Sequence, residues 1–215
     1  MSIPRVLLVP THCTGLADAV AAAVAEILTG QGQQVRYHHV GAAGPATAWD
    51  RWEAAAFLDP ALYAEEALLG LYDVATRGAD ISLLSSNVGV LDKRDGASWL
   101  PADLAGLLDC PLVVLADCRG WGTGIRITTS GIKARLSRHH LAGVILTGVT
   151  DRDHLALLRE AFTEDDIPVV GCLFAGDGPG WDTVPPGAWG LPLDPTLLSA
   201  VARQVDMNGL VSLAG

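Results

Sequence analysis

The sequence predicts an α/β fold in which a doubly wound, mainly parallel sheet lies between two layers of helices. Short apolar runs recur along the chain, and segments rich in helix-forming residues separate them. Parallel strands that are buried on both faces have this continuous apolar character, and the crossovers between them need helices. The chain has 215 residues, of which 50% are hydrophobic and 18% are charged. These values suit one α/β domain over residues 1–215.

Six apolar runs are the predicted strands, and helix-forming segments alternate with them. The strands are expected at residues 5–10, 35–40, 81–85, 112–117, 141–147 and 168–173. The helices are expected at residues 16–32, 61–77, 101–108, 125–138, 152–164 and 196–205. Glycines close the first helix as a C-cap would, while Asp59-Pro60 and Asp194-Pro195 suit the starts of the second and last helices.

The charge balance narrows the classes of partner. The chain carries 14 Lys and Arg against 24 Asp and Glu, which gives a net charge of -10. An acidic surface repels phosphate backbones and anionic lipids, so we expect neither nucleic acid nor a membrane as partner. No apolar stretch reaches the roughly 20 residues of a spanning helix, and the N-terminus lacks the pattern of a secretory signal. We therefore expect a cytoplasmic protein.

The residues that follow each predicted strand carry the functional signal, because ligands of doubly wound sheets bind beyond the carboxyl ends of the strands. These segments, in chain order, are THCTGLAD at 11–18, FLDP at 57–60, VGVLD at 88–92, VVLAD at 113–117, LAGVILT at 141–147 and IPVVG at 167–171. In their order and spacing, over about residues 6–173, they resemble the synthetase domain of cobyrinic acid a,c-diamide synthase, a relative of dethiobiotin synthetase.

This resemblance implies a P-loop NTPase-like fold with three αβα layers. It also implies an activity in which ATP activates a substrate carboxylate that is then passed to ammonia, and a homodimer. A glutamine amidotransferase domain normally follows the synthetase domain in this family. Because the chain ends at Gly215, that domain is expected to be absent.

The loop at residues 11–18 takes the place of a Walker A loop under this resemblance, but its contact residues differ. A working loop needs glycine amides around the phosphates, a lysine on the β and γ oxygens, and a Ser or Thr hydroxyl on magnesium. The lysine position falls on Ala17 and the hydroxyl position on Asp18. The other residues of this degenerate loop, which are candidates for ligand binding, are Thr11, His12, Cys13, Thr14 and Gly15.

The neighbouring loops depart from the family in the same way. The acidic metal residue after the third strand falls on Ser85, and a lysine after the second strand falls on His39, with Gly41 beyond it. Asp117 is either a ligand-facing acid or a turn and capping aspartate. Asp92 is either a remnant of an acidic loop or part of a solvated charged turn. We take His39, Gly41, Ser85, Asp92 and Asp117 as candidate ligand-facing residues.

A metal site is a further hypothesis. His12, Cys13, His38 and His39 lie at the ends of the first two strands, where they could ligate a soft or borderline metal. Adjacent histidines on a strand point to opposite faces, which opposes this arrangement. The four cysteines of the chain form no CxxC pair, so buried free thiols are the simpler interpretation.

The losses at separate loops predict a relative that does not hydrolyse ATP and that binds a carboxylated small molecule or a partner protein without a cofactor. The alternative is an active amide-forming ligase that holds ATP and magnesium in an unusual way. Lys133 or Arg119 would then reach in from another loop, or the helix N-terminus alone would bind a weaker anion.

Overall fold

The computed structural model describes residues 3–12, 14–40, 58–93, 99–136, 141–177 and 193–215. Within them lies a six-stranded sheet in which all neighbouring strands are parallel, in the order β2-β3-β1-β4-β5-β6. The strands are β1 (Arg5–Pro10), β2 (Val35–His39), β3 (Ile81–Ser85), β4 (Leu112–Asp117), β5 (Leu141–Val149) and β6 (Val169–Phe174). All six predicted strands are confirmed, and β5 runs two residues beyond its predicted end.

Seven helices occur in the described part of the chain. They are α1 (Leu16–Gly30), α2 (Glu65–Ala75), α3 (Pro101–Leu107), α4 (Ile125–Arg135), α5 (Arg152–Glu164), α6 (Pro195–Gln204) and α7 (Met207–Leu213). Helices α1, α6 and α7 bury their apolar residues in one cluster, and α2 to α5 bury theirs in another. The predicted doubly wound, three-layer fold is therefore confirmed.

The sheet separates these two clusters because successive strand residues point to opposite faces. In β1, Val6 and Leu8 belong to the cluster under α1, whereas Leu7 and Val9 belong to the cluster on the other face. All four side chains are fully buried. The continuous apolar run that predicted this strand is thus explained by burial on both sides.

Helix α2 begins four residues later than the sequence predicts. The Asp59 carboxylate accepts a hydrogen bond from the Ala61 N–H at 2.8 Å, and the Asp59 carbonyl accepts one from the Leu62 N–H. An aspartate that bonds its own neighbouring backbone offers the chain a turn in place of a helix. The helix then starts at Glu65, where two acidic residues in the first turn favour its N-terminus.

Helix α7 was not predicted from the sequence. Its N-cap is Asp206, whose carboxylate accepts a hydrogen bond from the Gly209 N–H at 2.9 Å. The helix buries Met207 and Leu210 in the cluster under α1. The available signal was therefore a capping aspartate followed by a short amphipathic segment.

Each edge of the sheet carries a short additional pairing. At the end of β2, Val40 forms a parallel bridge with Leu58. On the outer side of β6, Gly171 forms an antiparallel bridge with Val205, and the Asp206 N–H donates to the Val170 carbonyl at 2.8 Å. The segment between α6 and α7 therefore lies along the edge of β6.

The strand order places a crevice at one point of the carboxyl edge. From β1 the chain first passes to one side of the sheet to build β2 and β3, and then to the other side to build β4. Connections that leave in opposite directions open a crevice beyond the strand ends.

None of the described helices is both long and apolar enough to cross a membrane.

Candidate functional site

A small cleft occupies this crevice between the ends of β1, β4 and β5. Its cavity volume is about 10 Å³, which is about the space of one water molecule. The cleft is lined by the end of β1, the loop before α1, and residues at and after the ends of β4 and β5. These residues are Pro10, Thr11, His12, Thr14, Leu16, Leu115, Asp117, Arg119 and Thr147.

The loop between β1 and α1 is held against both neighbouring strands. The Thr11 N–H donates to the Leu115 carbonyl in β4 at 3.1 Å, and the Thr14 N–H donates to the Asn87 carbonyl beyond β3 at 3.0 Å. The Thr14 hydroxyl accepts a hydrogen bond from the Leu16 N–H at 3.3 Å. Gly15 is the N-cap residue of α1 and has no side chain with which to cap it.

Asp18 lies one helical turn further on and forms a buried polar group with Tyr37, His39 and Ser85, here called the Asp18 cluster. The Asp18 Oδ1 atom accepts a hydrogen bond from the Ser85 hydroxyl at 2.5 Å and lies 3.2 Å from His39 Nδ1. The Tyr37 hydroxyl lies 2.6 Å from Ser85 Oγ. Because the Ser85 hydroxyl uses its hydrogen to bond Asp18, the Tyr37 hydroxyl is the donor in its hydrogen bond to Ser85.

The register of the sheet brings these residues together. Tyr37 and His39 are two residues apart in β2 and therefore share the face covered by α1. His39 is directly paired with Ser85 of the neighbouring strand. Asp18 in the first turn of α1 lies over both of them. The cluster is thus built by one strand pair and one helix.

Burial controls the electrostatics of the cluster. The side chains of His39 and Asp18 are 1% and 11% exposed. Burial is the main cause that raises the pKa of Tyr37 well above its usual value, the Asp18 charge raises it further, and the Ser85 hydrogen bond lowers it. The Tyr37 hydroxyl therefore stays protonated and donates. The second carboxylate oxygen of Asp18 has no hydrogen-bond partner among the described residues.

Asp117 and Arg119 form a second polar group on the other side of the cleft. The Arg119 Nε and Nη2 atoms donate to the two Asp117 carboxylate oxygens at 2.9 and 2.7 Å. His12 Nε2 lies 3.7 Å from the same carboxylate. Burial alone would raise the pKa of Asp117, but hydrogen bonds from the Arg119 side chain and backbone N–H and the nearby positive charge lower it overall.

Replacing Arg119 with methionine is expected to raise the pKa of Asp117, because the desolvation of the carboxyl would remain while its main stabilising partner is lost. In the wild-type protein the folded pKa lies below the ordinary value of 3.8. The pair therefore contributes stability above that value and loses it as the pH falls through the folded pKa. The variant should therefore lose less stability than the wild-type protein as the pH falls.

An NMR pH titration of the Asp117 carboxyl carbon measures this change. Asp165 is the internal control. Hydrogen bonds from Arg126 and Ser130 lower its pKa to about 2, and none of these three residues lines the cleft. The Asp165 titration should be unaffected by the substitution. An Asp117 pKa that stays the same in the variant would contradict the assigned cause.

The candidate residues thus fall into separate environments. Thr11, His12, Thr14 and Asp117 line the cleft, while Asp18, His39 and Ser85 form the neighbouring buried cluster. Asp92 is exposed in a turn. Its carboxylate lies so close to Gly89 that a Cβ atom there would be 2.2 Å from Asp92 Oδ2. Cys13 and Gly41 lie outside the described residues.

The histidines proposed as metal ligands do not converge. His12 lies beside Asp117, and His39 lies beside Asp18. His38 points to the opposite face of the sheet, where its ring centroid is 5.5 Å from that of Tyr72. Across the described ranges, no group of three His, Cys, Asp or Glu residues is placed to hold a metal ion.

Of the two cations considered from the sequence, only Arg119 lines the cleft. Lys133 instead donates to the carbonyls of Asp165 and Asp166 at 2.9 and 3.0 Å.

The sequence did not indicate Tyr37 and Thr147 as site residues. The available signal for Tyr37 was its position two residues before His39 on the same face of a strand.

Known proteins are similar to this chain in sequence and in fold. The chain is 30% identical to the hydrogenobyrinate a,c-diamide synthase of Mycobacterium tuberculosis over 122 residues, which are 54% of this chain and 27% of the relative. It is 28% identical to the Streptomyces coelicolor enzyme of the same name over 180 residues, which are 80% of this chain and 36% of the relative. The cobyrinate a,c-diamide synthase of a Synechococcus strain is 30% identical over 120 residues, 54% of this chain and 26% of the relative.

The chain thus spans about a quarter to a third of the length of these relatives. No protein family model matches the chain. Among solved structures, chloroplast FtsY from Physcomitrella patens superposes with a TM-score of 0.52 over 94% of this chain and 66% of the other, at 14% identity. This protein is a distant homologue of the hydrogenobyrinate and cobyrinate a,c-diamide synthases and has the fold of the P-loop NTPases.

Proposed function

We propose that this protein is a non-hydrolysing relative of the diamide synthases, which uses their scaffold to bind a carboxylated small molecule or a partner protein. The observation that carries the proposal is the Asp18 cluster. Under the resemblance described above, Asp18, Ser85 and His39 stand at positions that hold magnesium and substrate in the family. Here the Asp18 carboxylate contacts the side chains of both Ser85 and His39.

Magnesium and a triphosphate do not fit these residues. At the position of the metal-binding hydroxyl stands a carboxylate whose Oδ1 atom is already bonded to Ser85. At the position of the phosphate-binding lysine stands Ala17, which is fully buried in the apolar cluster under α1. A triphosphate charge about 4 Å from Asp18 would be repelled by about 1 to 4 kcal/mol, depending on how far water screens the site.

The charge of the cleft supports the same proposal. The single Lys or Arg residue among its lining residues, Arg119, is engaged by Asp117. A net charge of -10 further disfavours a polyanionic ligand.

We place the protein in the cytoplasm, as expected from its sequence.

Isothermal titration calorimetry with ATP and magnesium tests the proposal. We expect no magnesium-dependent binding at ATP concentrations up to about 1 mM, for which the binding free energy would be only about -4 kcal/mol. A sub-millimolar affinity that requires magnesium would contradict the proposal. It would favour the alternative, an active ATP-dependent amide-forming ligase with atypical nucleotide binding.

The proposal includes a homodimer, which the resemblance implies. Sedimentation velocity on the purified chain should then give twice the mass of 22.4 kDa that one chain has. The dimer should persist without nucleotide, because the proposed function needs none. A monomer at all accessible concentrations would remove the homodimer from the proposal and leave the ligand-binding part to be tested separately.

A further inference from the structure

Helix α2 has an apolar outward side. Of its 11 residues, only Leu68 and Tyr72 are buried, and they lie four residues apart on one side of the helix. A helix on a protein surface normally exposes charged and polar residues on its other side. The outward side of α2 instead carries Ala67, Gly70 and Val74 at its centre. All three are exposed, and their spacing of three and four residues places them next to one another.

The turn before the helix extends this apolar surface. Leu62 and Tyr63 in that turn are 69% and 39% exposed, and Leu69 and Val74 on α2 are 42% and 60% exposed. They are four of the seven large hydrophobic residues that are exposed within the described ranges. Exposed apolar residues that are grouped in this way mark an interaction surface. This surface, here called the α2 face, consists of Leu62, Tyr63, Ala67, Leu69, Gly70 and Val74.

Gly70 stands at the middle of both the α2 face and the helix. A Cβ atom built on Gly70 would meet nothing within 4 Å, so no contact in the described part of the chain requires a glycine there. Glycine is among the poorest helix formers. What it offers on an exposed helix is close approach of another backbone. The position therefore suits contact with a second helix.

We infer that the α2 face is the contact surface between two copies of this chain, packed as antiparallel α2 helices that cross at Gly70. The inference rests on the homodimer in the proposed function and names its interface. A two-fold axis brings the same surface of both copies together, so a residue at the midpoint of a helix meets its own copy. Tyr63 and Val74 lie on opposite sides of Gly70 along the chain, and each would pack against the other copy.

The charges at the two ends of α2 fit a second copy in this orientation. Glu65 and Glu66 occupy the first turn, whereas Arg77 follows the last turn and is 72% exposed. In an antiparallel pair, Arg77 of each copy lies beside the acidic first turn of the other, while a parallel pair would bring the two acidic ends together. Arg77 lies 3.7 Å from Asp73 of its own helix, which is 79% exposed. Water screens an exposed pair of this kind, so it does not hold Arg77 in place.

Cross-linking of the full chain tests the inference. The wild-type chain should sediment as a dimer, and Gly70→Cys should form a disulfide between copies on mild oxidation. Helices that pack across a glycine place the two Cα atoms of residue 70 within roughly 7 Å, which is the reach of a disulfide. Gly131→Cys is the matched control, because Gly131 is also exposed within a helix and has open space at its Cβ position. It should give no more cross-linked dimer than the wild-type chain, whose Cys110, Cys118 and Cys172 are buried.

A bulky substitution at the crossing point should separate the two copies. Gly70→Gln should weaken dimerisation by about tenfold or more, because a long side chain keeps the helices apart. Glutamine is a better helix former than glycine, so the separated chain should remain folded, as circular dichroism can check. Gly131→Gln should leave dimerisation unchanged, since Ile127 is the single large hydrophobic residue that α4 exposes.

A charge exchange tests the orientation of the two helices. Arg77→Glu should weaken the dimer, because it places like charges beside the acidic first turn of the other copy. Adding Glu66→Arg to this variant should restore dimerisation in part, because opposite charges face each other again. A double variant that dimerises no better than Arg77→Glu alone would contradict the antiparallel arrangement.

Three further results would overturn the inference. These are a wild-type monomer at all accessible concentrations, equal dimerisation of Gly70→Gln and Gly131→Gln, and equal cross-linking of Gly70→Cys and Gly131→Cys. With a wild-type dimer, the second or third result would leave the homodimer of the proposed function intact and place its interface elsewhere. Magnesium-dependent ATP binding would instead contradict the non-hydrolysing function and would not affect the interface.

Discussion

Asp18→Ala is expected to lower the free energy of unfolding by about 3 kcal/mol, because it breaks a buried hydrogen-bonded group by removing one member. The Ser85 hydroxyl would lose the acceptor at 2.5 Å, and His39 Nδ1 would lose its contact at 3.2 Å. Both remaining groups are buried and gain no water in exchange. Urea unfolding near neutral pH, followed by circular dichroism, measures the change.

Two further variants separate the causes of this loss. Asp18→Asn keeps the shape and one acceptor oxygen, so it should destabilise the protein less than Asp18→Ala. Asp73→Ala removes an aspartate that is 79% exposed and should change the stability by no more than about 0.5 kcal/mol. If Asp18→Ala proved as mild as Asp73→Ala, the Asp18 cluster would not be the stabilising group described above.

Gly148→Ala is expected to lower the free energy of unfolding by about 2 to 3 kcal/mol, because two costs add at one residue. The first cost is an L side chain at a φ of +66°. The second is the collision of the new Cβ with Arg119 Cγ at 2.4 Å. Urea unfolding, followed by circular dichroism, measures the change.

Two other glycines separate these costs. Gly120 has a φ of +69° and nothing within 4 Å of a Cβ position, so Gly120→Ala reports the backbone cost alone. Gly122 also has open space and is not at positive φ, so Gly122→Ala should be close to neutral. In an Arg119→Ala background, Gly148→Ala should cost no more than Gly120→Ala. A full cost in that background would contradict the role given to Arg119.

The strands and the site followed from the sequence to different extents. The strands could be predicted because each is buried on both faces and therefore leaves a continuous apolar run, as in Val6 to Val9. The start of α2 could not, because the Asp59 side chain bonds the Ala61 backbone and stops the helix from starting there. Local hydrogen bonds of this kind compete with propensity and are not visible in an apolar pattern.

For the site, the sequence identified Asp18, His39 and Ser85 one at a time, through a resemblance. It did not show that they contact one another, since that depends on the pairing of His39 with Ser85 and on the placement of α1 over both. The choice of Arg119 over Lys133 also needed the structure. It depends on the position of Arg119 at the cleft and of Lys133 beside the carbonyls of Asp165 and Asp166.

The pairing of Val205 and Asp206 with β6 limits how two copies of this protein can associate. A strand edge that is open along its length can extend its sheet into a neighbouring chain. Here the Val170 carbonyl on that side already accepts a hydrogen bond from the Asp206 N–H, and Val205 lies opposite Gly171. A homodimer would therefore have to meet through helices, loops or the opposite border, and not through a continuous sheet that crosses this one.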